Sequence, residues 1–262
     1  MNYQIHNSIV NFIWGIADDV LRDVYVPSKY RDVILPMTVI RRLDVLLEPT
    51  KKKVLGMRKQ LDDAGIANQH AALCQTAGEA FYNVSPFCLR DLKNRSKQQQ
   101  LKADFEAYLD GFSPNVQEIL DKFQFRNQIP ILINADRLGN LIEKFLNSTI
   151  NLSPKPVVDV HGNEILPALD NHAMGTVFEE LIRRFNEANN VDAGAYFTPR
   201  DAINLMADLV FLPVAANIES GTYLVYDGAC GTGGMLSVAE KRLAELAERH
   251  GKVVSIHLFG QE

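Results

Sequence analysis

The sequence predicts an all-α domain over residues 1–150, a connecting segment over residues 151–170, and from residue 171 to 262 the opening portion of an α/β fold. Three observations carry this. Apolar residues recur at helical spacing from Ile5 to about Asn147, with little strand-like alternation. The stretch Asn151 to Asp170 (NLSPKPVVDVHGNEILPALD) then breaks the pattern with three prolines and an HGN turn signal. Beyond it, a short apolar run, a glycine cluster, a helical pattern and a second apolar run follow one another, the order of a nucleotide-binding βαβ unit.

Taken in order, Ile9, Phe12, Ile13, Ile16, Val20 and Leu21 mark one face of a first helix. A second is expected from about Ser28 towards Leu47, with Ser28 as its cap. Pro36 should kink or interrupt it, because proline lacks an N–H and crowds the preceding turn. Residues 90–102 (RDLKNRSKQQQLK) are basic and Gln-rich, as expected of an exposed loop or frayed helix start. Ser113 before Pro114 reads as a hydroxyl cap and a first-turn proline. The helix it opens carries Val116, Ile119, Leu120 and Phe123. Another runs from Ala135 to Leu146, with Leu138, Leu141, Ile142 and Phe145 on its buried side. The connecting segment should hold a small hairpin around HGN. After it come a long amphipathic helix from about Asn171 to Asn189, the segment GAYFTPR, and a helix from Arg200 to Phe211. Tyr223 to Tyr226 is short, β-branched and aromatic, like a buried parallel strand. A helix from Gly234 to about His250 and a strand in VVSIHLFG, ending at Gln261 and Glu262, complete the pattern.

Composition narrows the function classes. A formal charge of −5 argues against a protein whose whole surface grips nucleic acid, since phosphate contacts need clustered Lys and Arg. Locally the balance differs: Arg22 to Lys59 holds ten Lys or Arg and four Asp or Glu, an excess of six positive charges. This is either a DNA- or partner-facing stripe or a set of solvated helix faces. Three cysteines, Cys74, Cys88 and Cys230, lack metal-ligand spacing and are odd in number, so reduced thiols are expected and no metal site. No apolar run approaches the roughly 20 residues that span a bilayer. Met1 to Asn11 lacks a basic stretch leading into an apolar core, so the expectation is a cytoplasmic protein without a signal peptide or membrane contact.

The chemistry concentrates in DGACGTGG, Asp227 to Gly234, between a predicted strand and a predicted helix. Glycines there let the backbone turn tightly and approach a ligand, and the helix N-terminus presents unpaired N–H groups. A dinucleotide fingerprint starting at Gly231 would need glycine where Leu236 stands, and a phosphate-cradling loop would need lysine where Gly234 and Met235 stand. These spacings disfavour a nicotinamide-dependent oxidoreductase. S-adenosylmethionine has no phosphates. Its site wants a carboxylate near the ammonium, glycine backbone near the sugar and methionine, and an acid at the next strand end for the ribose hydroxyls. Asp227 and Glu262 supply both carboxylates. The plainer alternatives are a helix cap and a solvated terminal acid.

These residues resemble the modification subunit of type I restriction-modification systems, an N6-adenine DNA methyltransferase family. The resemblance rests on IWGIADDVLRDVYVPSKYRDVILPMTVIRRLD (Ile13 to Asp44), MGTVFEELIRRF, GAYFTPR, the glycine motif and GQE, in that order. It implies a helical N-terminal domain, then the start of a Rossmann-like S-adenosylmethionine-dependent methyltransferase fold. The implied cofactor site comprises Ala195, Tyr196, Phe197, Thr198, Pro199, Arg200, Asp227, Gly231, Thr232, Gly233 and Glu262. DNA, a specificity subunit and a restriction subunit are the implied partners. Gly228 departs from the family's proline. Without the resemblance, Tyr196 and Phe197 would read as core aromatics. Cys230 reads as a small filler in the turn, because this methyl transfer needs no covalent enzyme intermediate. The family's Asn/Asp-Pro-Pro-aromatic catalytic motif is absent from these 262 residues, so no catalytic residue is assigned and the chain alone is expected to be inactive. The competing expectation is a subunit-docking or DNA-contact module that binds no cofactor.

Overall fold

The computed structural model describes residues 3–93, 97–188 and 198–261. The chain divides into two compact units, residues 7–169 and the region from Asp170 onward, with which the first six residues group.

The first unit is helical. Helix α1 (Tyr3–Leu21) buries Ile9, Ile13, Ile16, Val20 and Leu21 along one stripe, with Phe12 half-buried beside it. Helix α2 (Arg31–Leu47) corrects the expected cap and runs unbroken past Pro36. Ser28 lies in a separate 3-10 turn, Pro27–Lys29, and Tyr30 is the residue that leads into the helix. Pro36 neither ends nor interrupts α2. It is buried between Val33, Ile34, Met37 and Ile40, and its missing N–H costs the Asp32 carbonyl one bond near the helix start. Packing of that apolar face outweighs the loss.

Helices α3 (Lys51–Asp63), α4 (His70–Ala77), α5 (Leu89–Leu92), α6 (Gln98–Asp110), α7 (Pro114–Lys122), α8 (Ile129–Asn134) and α9 (Leu138–Phe145) complete the unit. In residues 90–102 the described residues are exposed or half-exposed except Leu92 of α5 and Leu101 of α6, which are fully buried, and α6 begins at Gln98; 94–96 lie outside the described residues. Helix α7 does start after Ser113. Its hydroxyl, however, donates to Asn115 Oδ1 and accepts the Tyr82 N–H instead of capping. The buried stripe of α7 is narrower than expected, Val116 and Leu120 only, with Ile119 exposed. In α9 all four expected residues are buried.

Three members of the basic stretch turn inward and three more pair locally at the surface. Arg41 pairs with buried Asp44, Lys51 donates to the Asn83 carbonyl and side chain, and Arg42 donates to the carbonyls of Leu152 and Leu169. Arg22, Lys29 and Arg58 pair with neighbouring aspartates at the surface. Arg42 thereby fastens the 151–169 segment to α2. Within that segment the hairpin around HGN is present, β1 (Val157–Val158) antiparallel to β2 (Glu164–Leu166). Asp159 caps its turn by accepting the His161 and Asn163 N–H groups.

In the second unit Asp170 accepts the Ala173 N–H and so caps α10 (Asn171–Ala188). Then come α11 (Arg200–Phe211), β3 (Gly221–Asp227), α12 (Gly234–Arg249) and β4 (Val254–Gly260). Strands β3 and β4 pair in parallel, from Gly221 opposite Val254 to Asp227 opposite Gly260. Leu243, Leu246 and Ala247 of α12 pack on Tyr223, Val225, Val254 and Ile256, which share one sheet face by the two-residue strand period. Strand β3 was expected to be buried, and on the opposite face it is not: Leu224 is 71% and Tyr226 64% exposed. No helix among the described residues is long and apolar enough to cross a membrane. Nor do the described residues group into a metal-binding cluster.

Candidate cofactor site

The site is built on the end of β3. Asp227, its last residue, accepts the Gln261 N–H at its carbonyl, and Cys230 N–H donates to the Gln261 carbonyl, both at 2.9 Å. The chain after β3 is thus laced to the chain after β4. Between these bonds the backbone turns through Gly231 at φ +50° and Gly233 at φ +78°, a region where a Cβ is unfavourable. Gly233 N–H closes the turn on the Cys230 carbonyl at 2.7 Å, and α12 starts at the next residue. One Asp227 oxygen accepts the Ala229 N–H at 3.1 Å. Gly260 makes room for Cys230, since an ideal Cβ there would stand 2.8 Å from its sulfur. Cys230 is therefore a wedge between turn and strand.

Beside the turn lies a cavity of about 1040 Å³. Its walls are Glu179 and Ile182 of α10, Thr198, Ile203, Met206 and Phe211 around α11, Val225, Tyr226 and Asp227 of β3, and Ala229 to Thr232 of the turn. Glycine at 234 leaves room for Glu179, whose Oε1 lies 2.8 Å from where a Cβ would be. Glu179 is almost fully buried, and its Oε2 lies 2.8 Å from Arg200 Nη2. Burial pushes the Glu179 carboxyl above its ordinary range, while the Arg200 charge pulls it back.

Of the residues expected at the site, Thr198, Asp227, Gly231 and Thr232 line this cavity. Gly233 shapes the turn without lining it. Pro199 leads into α11, and Arg200, the first residue of that helix, stands behind the wall through Glu179. Ala195, Tyr196, Phe197 and Glu262 lie outside the described residues. Sequence reasoning missed Glu179. At 100° per residue it falls on the polar side of α10, far from the Met174, Val177, Leu181 and Phe185 stripe, so periodicity marks it as solvated. Packing of α12 against α10 buries it nonetheless. The available signal was Gly175, one turn earlier on the same side, a notch against which Arg200 lies.

Comparison with known proteins now bears on this geometry. A model of the HsdM N-terminal domain matches residues 9–145, more than half of the 262. The chain belongs to the type I modification subunit family. A second model, of the N-6 DNA methylase family, matches residues 169–262. The type I restriction enzyme HindI methylase subunit of Haemophilus influenzae is 28% identical over 130 residues, covering 50% of this chain and 26% of that subunit. The crystal structure of a type I restriction-modification methyltransferase subunit from Streptococcus thermophilus superposes with a TM-score of 0.51 at 16% identity. It covers 98% of this chain and 59% of its own, and supports the fold. A helical N-terminal domain followed by a methyltransferase-like region is thus the architecture of this modification subunit chain.

Proposed function

We propose that the cavity beside the glycine turn, lined from α10, α11, β3 and the turn, together with the flanking Ala195–Phe197 and Glu262, is the S-adenosylmethionine site of a DNA adenine-N6 methyltransferase subunit. The carrying observation is the chemistry of the cavity wall. Asp227 and Glu179 contribute carboxylates, and no lysine or arginine lines it among the described residues. Such a wall suits a cationic ligand without phosphates better than a nucleotide, whose phosphates call for positive charge. Its place at the carboxyl ends of two parallel strands is where α/β folds hold ligands.

When bound, the cofactor supplies a methyl group on a positively charged sulfur. Asp227 and the glycine turn orient its polar groups, and Ile203, Met206 and Phe211 give it apolar contact. Transfer to adenine N6 requires the base to be flipped out and held by an Asn/Asp-Pro-Pro-aromatic motif. This sequence has no such motif, so the chain alone binds cofactor without methylating DNA. In this reading the helical unit serves contacts with DNA and with the specificity and restriction subunits.

The test is calorimetric titration of S-adenosylmethionine into the chain and into Asp227→Asn, which keeps the side-chain shape. Saturable binding, weakened in the variant, is expected. Absence of binding by the unsubstituted chain would favour the docking-module alternative.

A further inference from the structure

The Glu179–Arg200 pair leaves one carboxylate oxygen over. Oε2 faces the guanidinium, whereas Oε1 lies against Gly234 at the cavity wall, and no described residue donates to it. A helix cap would be the plain explanation for a carboxylate beside the start of α12, but the N-cap residue there is Gly233 and no hydrogen bond from the first turn to Glu179 is found among the described residues. A surface ion pair would be another, and Glu179 is only 6% exposed. Oε1 is not among the buried side-chain atoms left without a partner, so it opens onto the cavity that Glu179 lines, where a cationic donor can reach it while Arg200 holds Oε2.

Resting on the cofactor reading above, we propose that Glu179 is a cofactor-contacting residue, whose Oε1 accepts a hydrogen bond from the α-ammonium of S-adenosylmethionine while Arg200 holds Oε2. A charge-assisted bond of this kind is about twice as strong as a neutral one and has a fixed direction. Glu179 therefore reads the amino-acid end of the ligand and is indifferent to its adenosine. Gly234 belongs to the same arrangement, because a Cβ there would stand 2.8 Å from Oε1 and crowd it.

The experiment titrates two ligands into the 262-residue chain and into Glu179→Gln: S-adenosylmethionine, and 5′-methylthioadenosine, which lacks the amino-acid end. The expected result is a loss of at least about tenfold in S-adenosylmethionine affinity with methylthioadenosine binding unchanged. Because Glu179→Gln strands the Arg200 charge, the double variant Glu179→Gln/Arg200→Gln is run in parallel; it removes both charges and should show the same selective loss. Unchanged S-adenosylmethionine affinity in either variant overturns the proposal, as does an equal loss for both ligands, which would mark Glu179 as a purely structural group. If the unsubstituted chain binds neither ligand, the cofactor reading itself fails; if it binds both and the variants do not discriminate, only Glu179's role fails.

Discussion

Replacing Gly260 with alanine tests how tightly the glycine turn is pinned to β4. An ideal Cβ at 260 stands 2.8 Å from Cys230 Sγ, 3.1 Å from Cys230 Cβ and 3.1 Å from Leu236 Cδ1. Carbon atoms pack at about 3.5–4.0 Å, so the neighbours must withdraw by roughly half to one ångström. Both side chains line the cavity, so they can yield by rotating into it, but their backbones are held. Cys230 is tied through its N–H to Gln261 and through its carbonyl to Gly233, and Leu236 is buried in the first turn of α12. Overpacking of this kind costs about 1–3 kcal/mol, and with two neighbours displaced we expect about 2 kcal/mol. Cys230→Ala removes the sulfur and its contact. The double variant should therefore recover about 1 kcal/mol relative to the sum of the single ones. Denaturant unfolding followed by far-UV circular dichroism measures the loss, with fluorescence of Trp14, the single tryptophan, reporting on the helical unit separately. A change within about 0.5 kcal/mol for Gly260→Ala, or strict additivity with Cys230→Ala, would refute the packing argument.

Three further outcomes are expected in the helical unit. Asp44 accepts the Leu89 N–H, the Tyr108 hydroxyl and Arg41, each at 3.0 Å, so Asp44→Ala strands three donors. A loss of about 3–5 kcal/mol is expected in denaturant titration, and a loss under about 1 kcal/mol would show the network to be dispensable. Burial lowers the Lys51 ammonium to about 8, from 10.5. Above pH 8 the folded chain has released this proton while the unfolded chain still holds it, so stability rises with pH. Cys88, raised by burial and Asp91 to about 11 from 9.0, opposes this once the unfolded thiol ionises. The clean window therefore runs from about pH 8 to about pH 9, where the denaturation midpoint should climb in the unsubstituted chain but not in Lys51→Met; identical slopes would exclude Lys51 as the source. The same raised value leaves Cys88 with about a hundredfold less thiolate than an ordinary thiol, so iodoacetamide should label it far more slowly than a small-molecule thiol, as peptide mapping would show.

Much of this architecture was legible because its signals are local. Helical spacing marked α1 and α9, proline and HGN marked the 151–169 hairpin, and the glycine cluster between two apolar runs marked the β3–α12–β4 unit. The misreadings arose where tertiary packing overrides a local preference. Ser113 spends its hydroxyl on Asn115 and Tyr82, partners 2 and 31 residues away, that no cap rule anticipates. Lys51 and Arg42 look like members of a basic surface stripe but turn inward to carbonyls far along the chain. At the cavity, the placement of Asp227 and Gly231 beside the end of β3 follows from the strand–glycine–helix spacing. Glu179 offered only the indirect signal of Gly175, because its burial depends on α12, a helix more than fifty residues further on.

The most direct test of the central claim is hydrogen–deuterium exchange of the chain with and without saturating S-adenosylmethionine. Slowed exchange is predicted in peptides spanning Val225 to Ala239 and in those containing Glu179 and Thr198, with residues 7–169 unchanged. Saturable binding whose protection falls in the helical unit, or spares the glycine turn, would contradict the account.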